Sequence, residues 1–478
     1  MIVHERNVAA KKTEETVSVR TPDPLHAGDA PALFFALFAD APATPPARHS
    51  LLHIQEVIVG RGPREHIRDG AALIVRIPDA QMSARHARLS RAGTSWYLFD
   101  ERSKNHTFVN GVEVTERPLG EGDVLEMGHS FFVFRAAVPR AAESPLDRQG
   151  CITRFDGIPG TVTMSAALDR QLGDLKRVAA GHSPILLGGE TGSGKELIAR
   201  AAHRWSGRAE GPFVAVNCGA LPTGIMEREM FGHVAGSFTG ARRDGDGYFQ
   251  AADGGTLFLD EVAELAPAAQ AALLRATGGD GVTRVGSTTP DPVAVRLVAA
   301  SHKDLEAEVD AGRFRDDLRA RLTGFTMSLP PLRERREDLG LLTATLLATR
   351  RPRRTYTLSR EAARALMLHP WPRNIRALRA ALEVATDLAG AGDTLDVRNL
   401  DAAADDAPIG RPTATTMHLP RSRDEWVDLR RRFPDAINMT ELAQRMGQSA
   451  TTLRQLGKKH GWPALFETQR RRTTRNRR

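Results

Sequence analysis

The chain has 478 residues, a length that calls for roughly three domains rather than one core. Its 41% hydrophobic content excludes wholesale disorder, and a formal charge of +8 permits contact with nucleic acid without requiring it. Two cysteines, Cys151 and Cys218, exclude a disulfide framework and fit a reducing cytoplasm, and the most apolar stretch, Ala32–Ala39, is far too short to cross a bilayer. The start of the chain lacks the apolar core of a signal peptide, so the reading is a cytoplasmic protein with no membrane partner.

In chain order, residues 1–30 are polar and unpatterned and read as a flexible lead. Residues 31–137 read as an all-β sandwich: short apolar runs (Leu51–Val59, Ala72–Ile77, Trp96–Phe99, Thr107–Val109, Phe131–Phe134) alternate with Gly, Asp and Asn turn signals. Residues 138–160 hold prolines without periodicity, as a linker does. From 161 to 400 the strands Pro184–Leu187, Phe213–Val216, Thr256–Leu259 and Val295–Ala300 alternate with helical segments, the pattern of an α/β domain with a parallel sheet. The pattern turns helical after Pro330, giving a lid from about 334. A second linker, 401–420, precedes a compact helical module at 421–468, and the last ten residues, 469–478, contain six arginines.

The middle domain carries the chemistry. Gly189-Glu190-Thr191-Gly192-Ser193-Gly194-Lys195 follows a strand and opens a helix, the context of a phosphate-binding loop. Its glycines let backbone N–H groups approach phosphate oxygens, the helix N-terminus favours their charge, and Lys195 reaches the β- and γ-phosphates. Glu196 stands where Ser or Thr usually ligates magnesium. A second apolar strand ends in Asp260 and Glu261, suited to hold Mg²⁺ through water and to polarise an attacking water. ATP and Mg²⁺ are the expected cofactors.

Between these motifs lies Glu229-Met-Phe-Gly-His-Val-Ala-Gly236-Ser237-Phe238-Thr239-Gly240-Ala241. It resembles the Gly-Ala-Phe-Thr-Gly-Ala loop of sigma-54 activators, the bacterial enhancer-binding proteins of the AAA+ family, with Ser237 at the Ala position and Val234 at a usual Glu. The resemblance covers the middle domain, about half the chain, and includes the P-loop with its Glu196. It implies that Asn217 is the switch that holds the catalytic glutamate, that Arg315 and Arg321 are fingers reaching a neighbour's γ-phosphate, and that Arg376 in Trp371-Pro-Arg-Asn-Ile-Arg376 is the lid's sensor. Leu329-Pro-Pro-Leu-Arg-Glu-Arg335 also fits the pattern, whereas Ser301-His302 replaces the commoner Thr-Asn sensor. A finger supplied in trans implies a homo-oligomer, a hexameric ring, and the loop implies sigma-54 RNA polymerase as partner.

The N-terminal sandwich resembles a forkhead-associated (FHA) domain on Val59-Gly60-Arg61, Ser83-Ala-Arg-His86 and Ser103-Lys104-Asn105-His-Thr-Phe-Val-Asn110-Gly111. The resemblance implies that Arg61 and Ser83 grip a phosphothreonine, Asn105 holds the peptide backbone, and His86 and Gly60 brace the loops. Lys104, in place of Thr, either adds a phosphate contact or faces water, and His106 replaces a usual Gly. The input is then a phosphothreonine protein or a Ser/Thr kinase pathway.

At the other end, Asn438–Gly447 followed by Ser449–Gly461 reads as helix, turn, helix, with capping residues Asn438, Glu441 and Ser449. Thr451, Thr452, Arg454, Gln455, Lys458 and Lys459 stay exposed, suited to phosphates and base edges of double-stranded DNA at an enhancer site. This resembles a Fis-type helix-turn-helix; an αα-hairpin for dimerisation is the alternative. The fold class is thus multidomain: an all-β FHA sandwich, an α/β AAA+ P-loop ATPase with a helical lid, and an all-α helix-turn-helix. The function implied is ATP-driven remodelling of sigma-54 polymerase under FHA control. The alternatives are a AAA+ remodeller of another target, and a phosphopeptide-binding repressor on DNA without ATPase activity.

Overall fold

The computed structural model describes residues 29–139, 147–149, 162–220, 223–239, 241–278, 281–350, 354–389 and 393–401. The helix-turn-helix expected at 421–468, with Thr451, Thr452, Arg454, Gln455, Lys458 and Lys459, lies outside them, as do the basic tail and Gly240.

The N-terminal unit is the expected sandwich. Its strands are β1 (Asp29–Phe38), β2 (Ala47–Ser50), β3 (Glu56–Arg61), β4 (Glu65–Asp69), β5 (Ala72–Ile77), β6 (Ala87–Ala92), β7 (Ser95–Asp100), β8 (Thr107–Val109), β9 (Val112–Val114), β10 (Glu116–Leu119), β11 (Val124–Met127), β12 (Ser130–Pro139) and β13 (Asp147–Gln149). One sheet runs β13-β2-β1-β12-β11-β8-β9 and the other β10-β7-β6-β3-β5-β4. Two pieces of the segment read as linker therefore belong to the sandwich: the end of β12 and all of β13, which pairs antiparallel with β2. An edge strand of Asp-Arg-Gln is recruited by main-chain hydrogen bonds, which leave no apolar alternation to read.

β1 explains the apolar run at Ala32–Ala39. Leu33 and Phe35 point between the two sheets, beside Phe132 and Phe134 of β12. Ala32, Phe34 and Ala36 point the other way, beside Phe131 and Val133. A register shift between Phe35 and Leu37 then turns Leu37 outward and Phe38 inward. A strand buried on both faces has no polar alternation to show.

The middle domain contains α1 (Ala166–Ala179), β14 (Ile185–Gly188), α2 (Lys195–Arg204), β15 (Phe213–Asn217), α3 (Thr223–Phe231), α4 (Tyr248–Ala251), β16 (Thr256–Asp260), α5 (Pro267–Ala276), β17 (Val282–Thr283), β18 (Pro290–Asp291), β19 (Arg296–Ser301), α6 (Leu305–Asp310), α7 (Asp316–Leu322) and β20 (Phe325–Ser328). Its sheet is parallel, in the order β15-β16-β19-β14-β20. The carboxyl ends of β14, β16 and β19 thus lie side by side, where an open α/β sheet places its ligands.

The lid follows as α8 (Leu339–Ala348), β21 (Thr357–Leu358), α9 (Arg360–Leu368), α10 (Asn374–Ala389), β22 (Thr394–Leu395) and α11 (Val397–Asp401). It covers the outer face of the sandwich: Phe34, Ala36, Phe131 and Val133 share one core with Leu339, Leu342, Leu366, Trp371 and Leu378. Helix α8, whose only polar side chains are Thr343 and Thr345, lies between β1 and α10. The backbones also meet, Leu358 N–H donating to Ala39 O at 2.8 Å. At the rim, Glu126 is 2% exposed and accepts from Arg360 at 2.5 Å and Arg364 at 2.6 Å, and both guanidinium groups lie 4.7 Å from the Phe108 ring centre. A desolvated carboxylate is tolerable here because it is doubly paired. Among the described residues no helix is long and apolar enough to cross a membrane.

The closest approach is at Gly340, where an added Cβ would sit 1.9 Å from Ala36 O. Gly340→Ala must push α8 off β1, and overpacking of this kind costs about 1–3 kcal/mol. Calorimetry of this variant should show the sandwich and lid unfolding at lower temperature; an unchanged trace contradicts the packing.

Candidate functional site

The P-loop leaves β14 between β19 and β20 and enters α2 at Lys195. Gly192 (φ 77°) and Gly194 (φ 109°) occupy the left-handed region, which glycine adopts without strain. At Gly192 a Cβ would also lie 2.2 Å from Arg373 O. Lys195 is 6% exposed; its ammonium donates to Gly189 O at 2.8 Å and lies 3.6 Å from Glu261 Oε1. The buried Ser193 hydroxyl has no hydrogen-bond partner among the described residues.

Lid residues hold the outside of this loop. Asn374 Nδ2 donates to Thr191 O at 3.1 Å, Ile375 N–H to Gly192 O at 3.0 Å, and Arg335 to Ser193 O at 3.1 Å. Asn374, fully buried with φ 54°, also accepts from Leu332 N–H at 2.7 Å. Two predicted ligands turn away from the phosphate side. Glu190 is gripped by Arg333 at 2.6 and 2.8 Å and by Asn374 at 3.1 Å, and these hydrogen bonds, Arg333 first, hold its carboxyl below the usual range. Glu196 is half-exposed and paired with Arg200 one turn on, at 2.7 Å. Arg376, in the first turn of α10, is exposed beside the loop, its Cβ 3.0 Å from where a Gly192 Cβ would be.

Asp260 and Glu261 stand at the end of β16, adjacent to the P-loop lysine. Burial, and then the Glu261 charge, push the Asp260 carboxyl up. Burial pushes Glu261 up as well, but its hydrogen bond with His302 and the nearby Lys195 outweigh that and leave it lowered. Glu261 Oε2 lies 2.5 Å from His302 Nδ1 and accepts from the His302 N–H at 3.1 Å. Since the carboxylate can only accept, Nδ1 carries the proton. Asn217, expected to hold this glutamate, accepts from Gly219 N–H at 2.9 Å in an Asx-type turn at the end of β15. The group on Glu261 is His302. The same burial and carboxylates push the neighbouring Cys218 thiol up to about 12, which removes it as a nucleophile.

Arg315 and Arg321 are both exposed on or just before α7. Arg315 forms a two-point pair with Asp317 at 2.8 and 3.0 Å, while its N–H donates to Gln270 at 2.9 Å. Neither side chain hydrogen-bonds the P-loop of its own chain.

Between α3 and α4, Gly236 N–H donates to Ala241 O at 2.8 Å. The base of this segment is fixed by bridges from His233 to Gly245 and Val285, and Ser237 packs on Gly286. Phe238, one of the few exposed large apolar residues described, is 36% exposed, with its ring 5.0 Å from His233 and 5.1 Å from the Arg228 guanidinium. Thr239 is exposed beside it.

A separate cluster lies at one end of the sandwich. Arg61 is exposed at the end of β3, its N–H donating to Ser83 O at 2.9 Å. The Ser83 hydroxyl accepts from Lys104 N–H at 3.1 Å, and Asn105 donates to Gln81 O at 2.8 Å. Buried His86 accepts from Ser83 N–H at 3.1 Å and donates through Nε2 to His106 O at 3.2 Å, a neutral tautomer consistent with burial lowering its pKa. Gly60 allows the loops to close, since a Cβ there would meet Ala84 O at 2.0 Å. His106 has φ 57°, a conformation suited to the glycine it replaces.

Three family models match the chain. Residues 161–328 match the sigma-54 interaction domain, 57–128 the FHA domain and 333–416 a AAA+ ATPase lid domain. The chain is 41% identical over 356 residues to the response regulator protein PilR of Pseudomonas aeruginosa, covering 72% of this chain and 76% of that protein. It is 42% identical over 287 residues to the Nif-specific regulatory protein of Azotobacter vinelandii, covering 59% of this chain and 54% of that protein. It is 40% identical over 297 residues to the transcriptional regulatory protein ZraR of Escherichia coli, covering 62% and 67% respectively.

Proposed function

Because the chain belongs to the sigma-54-dependent transcriptional activators and carries an FHA domain, we propose that it hydrolyses ATP in a ring of its own copies to remodel sigma-54 RNA polymerase, under control of a phosphothreonine signal. The observation that carries this reading is the grouping of Lys195, Glu261 and His302 at the strand ends, with the Phe238–Thr239 tip between the two nucleotide motifs in sequence.

The residues fit a nucleotide. Gly192 has no room for a side chain, the glycines take left-handed conformations, and the buried Ser193 hydroxyl lacks a partner. Gly189, Glu190, Thr191, Gly192, Ser193 and Gly194 supply the cradle through their backbones, and Lys195 meets the β- and γ-phosphates. Asp260 would hold Mg²⁺ through water, and the ion when bound supplies positive charge against the phosphate oxygens. Glu261 orients and polarises the attacking water, and His302 holds its carboxylate ready. Arg376 from the lid and Arg315 and Arg321 from a neighbouring copy bring positive charge to the equatorial oxygens. Arg315 must first leave Asp317, a pair that is exposed and so weakly held.

Mechanical output goes to Gly236–Ala241, whose apolar tip is presented to the sigma factor. Arg61, Ser83, Lys104 and Asn105 form the phosphothreonine site, a guanidinium and a hydroxyl being matched donors for phosphate. The basic and polar residues Thr451, Thr452, Arg454, Gln455, Lys458 and Lys459 would locate the ring on enhancer DNA.

Lys195→Ala should lower ATP turnover at least about a hundredfold, measured as phosphate release; turnover at the parent rate removes the P-loop from the mechanism. Thr239→Ala should keep that turnover and lose transcription from a sigma-54 promoter in a purified system, and undiminished transcription contradicts the role of the tip. Arg61→Ala should abolish capture of phosphothreonine peptides from an immobilised library, whereas failure of the parent chain to bind any of them removes the input site.

A further inference from the structure

One short lid segment touches the nucleotide loop on one side and the sandwich on the other. It consists of two single 3-10 turns, Leu332–Glu334 and Arg336–Asp338, joined at Arg335. Toward the P-loop, Arg333 holds Glu190, and Arg335, 3% exposed, donates to Ser193 O at 3.1 Å. Toward the sandwich, Arg135 of β12 donates to Glu334 O at 2.5 Å and to the Glu337 carboxylate at 2.5 and 3.1 Å. Glu121 of the sandwich holds the remaining Arg135 nitrogen at 2.9 Å. The far end is pinned by the fully buried Asp338, which accepts from Thr163 Oγ1 at 2.8 Å and Met164 N–H at 2.5 Å.

We propose that Leu332–Asp338 is a clasp through which Arg135 positions the P-loop, so that the N-terminal domain sets nucleotide affinity without touching the nucleotide. The inference rests on reading Gly189–Lys195 as the nucleotide site. Its physical basis is charge in a dry environment. Glu337 is 4% exposed, and on the Arg335 guanidinium, whose pKa burial lowers, the charges of Asp338 and then Glu337 act in the opposite direction. While Arg135 satisfies Glu337, Arg335 rests between Asp338, 3.8 Å away, and the Ser193 carbonyl. Without Arg135, a buried carboxylate is left short of a partner and draws Arg335 toward itself, loosening the loop. A single residue separates Arg333 from Arg335 and Arg335 from Glu337, so a shift on either side is felt on the other. Coupling of this kind is reciprocal, so nucleotide must in turn alter the sandwich. Arg135 is a positioning residue: it meets no phosphate-binding group directly.

The test uses the full chain, titrated with a fluorescent ADP derivative and assayed for ATP turnover. Arg135→Ala should raise the Kd for the ADP derivative and the KM for ATP between about 5- and 50-fold, with kcat changed far less. Arg135→Lys, which keeps the charge but loses the fork, should recover part of the loss. Arg91→Ala, at the exposed end of β6 in the opposite sheet, should behave as the parent. Parent-like Kd and KM in a folded Arg135→Ala protein overturn the clasp. If Arg135→Ala does not fold, Arg135→Gln, which removes the charge but keeps much of the side-chain volume, carries the same test, and parent-like affinity there overturns it equally. A parent chain that binds no adenine nucleotide instead removes the P-loop reading, and the clasp with it.

Discussion

A loop that turns successive N–H groups toward a phosphate must turn its carbonyls the other way, and buried carbonyls need donors. In this protein the lid supplies them. Asn374, the Ile375 N–H and Arg335 take the carbonyls of Thr191, Gly192 and Ser193 in turn. The lid is therefore the outer wall of the phosphate cradle, and its orientation and the conformation of the P-loop are one variable. Glycine at 192 is required twice over: by its left-handed φ, and by the Arg373 carbonyl that comes within 2.2 Å of any Cβ there.

The same lid forms one hydrophobic core with the outer face of the FHA sheet. Apolar faces alone permit sliding. The arginine pairs at Glu126 and Glu337 allow one seating, because displacement would leave a desolvated carboxylate unpaired. FHA domain, lid and P-loop are thus joined through the shared core and the buried hydrogen bond from Arg335 to Ser193 O. Arg315, by contrast, is held by Asp317 at the surface, and the Phe238 ring is only partly covered.

What could be read in the sequence was what is local along the chain. The P-loop is seven consecutive residues, and Asp260-Glu261 ends a strand whose apolar run is visible by itself. The strands at Ala72–Ile77 and Thr107–Val109 appear where their alternation and turn residues put them. What could not be read depends on partners far apart. His302 meets Glu261 because β19 lies next to β16, and Glu190 turns to Arg333 because the lid folds back over 143 positions of sequence. The run at Ala32–Ala39 looked merely apolar; that one of its faces belongs to the lid follows only from the tertiary arrangement. Strand β13 carries no apolar signal at all and is held through its main chain.

The proposed activity requires a nucleotide-dependent grip of the Phe238–Thr239 tip on the sigma factor. Its most direct test is to ask how much purified sigma-54 the full chain retains in the presence of ADP with aluminium fluoride, with ADP alone, and after Thr239→Ala. Retention with the transition-state analogue only, lost in the variant, is the predicted result. Retention that ignores both the nucleotide and the tip, or no retention under any condition, contradicts the account.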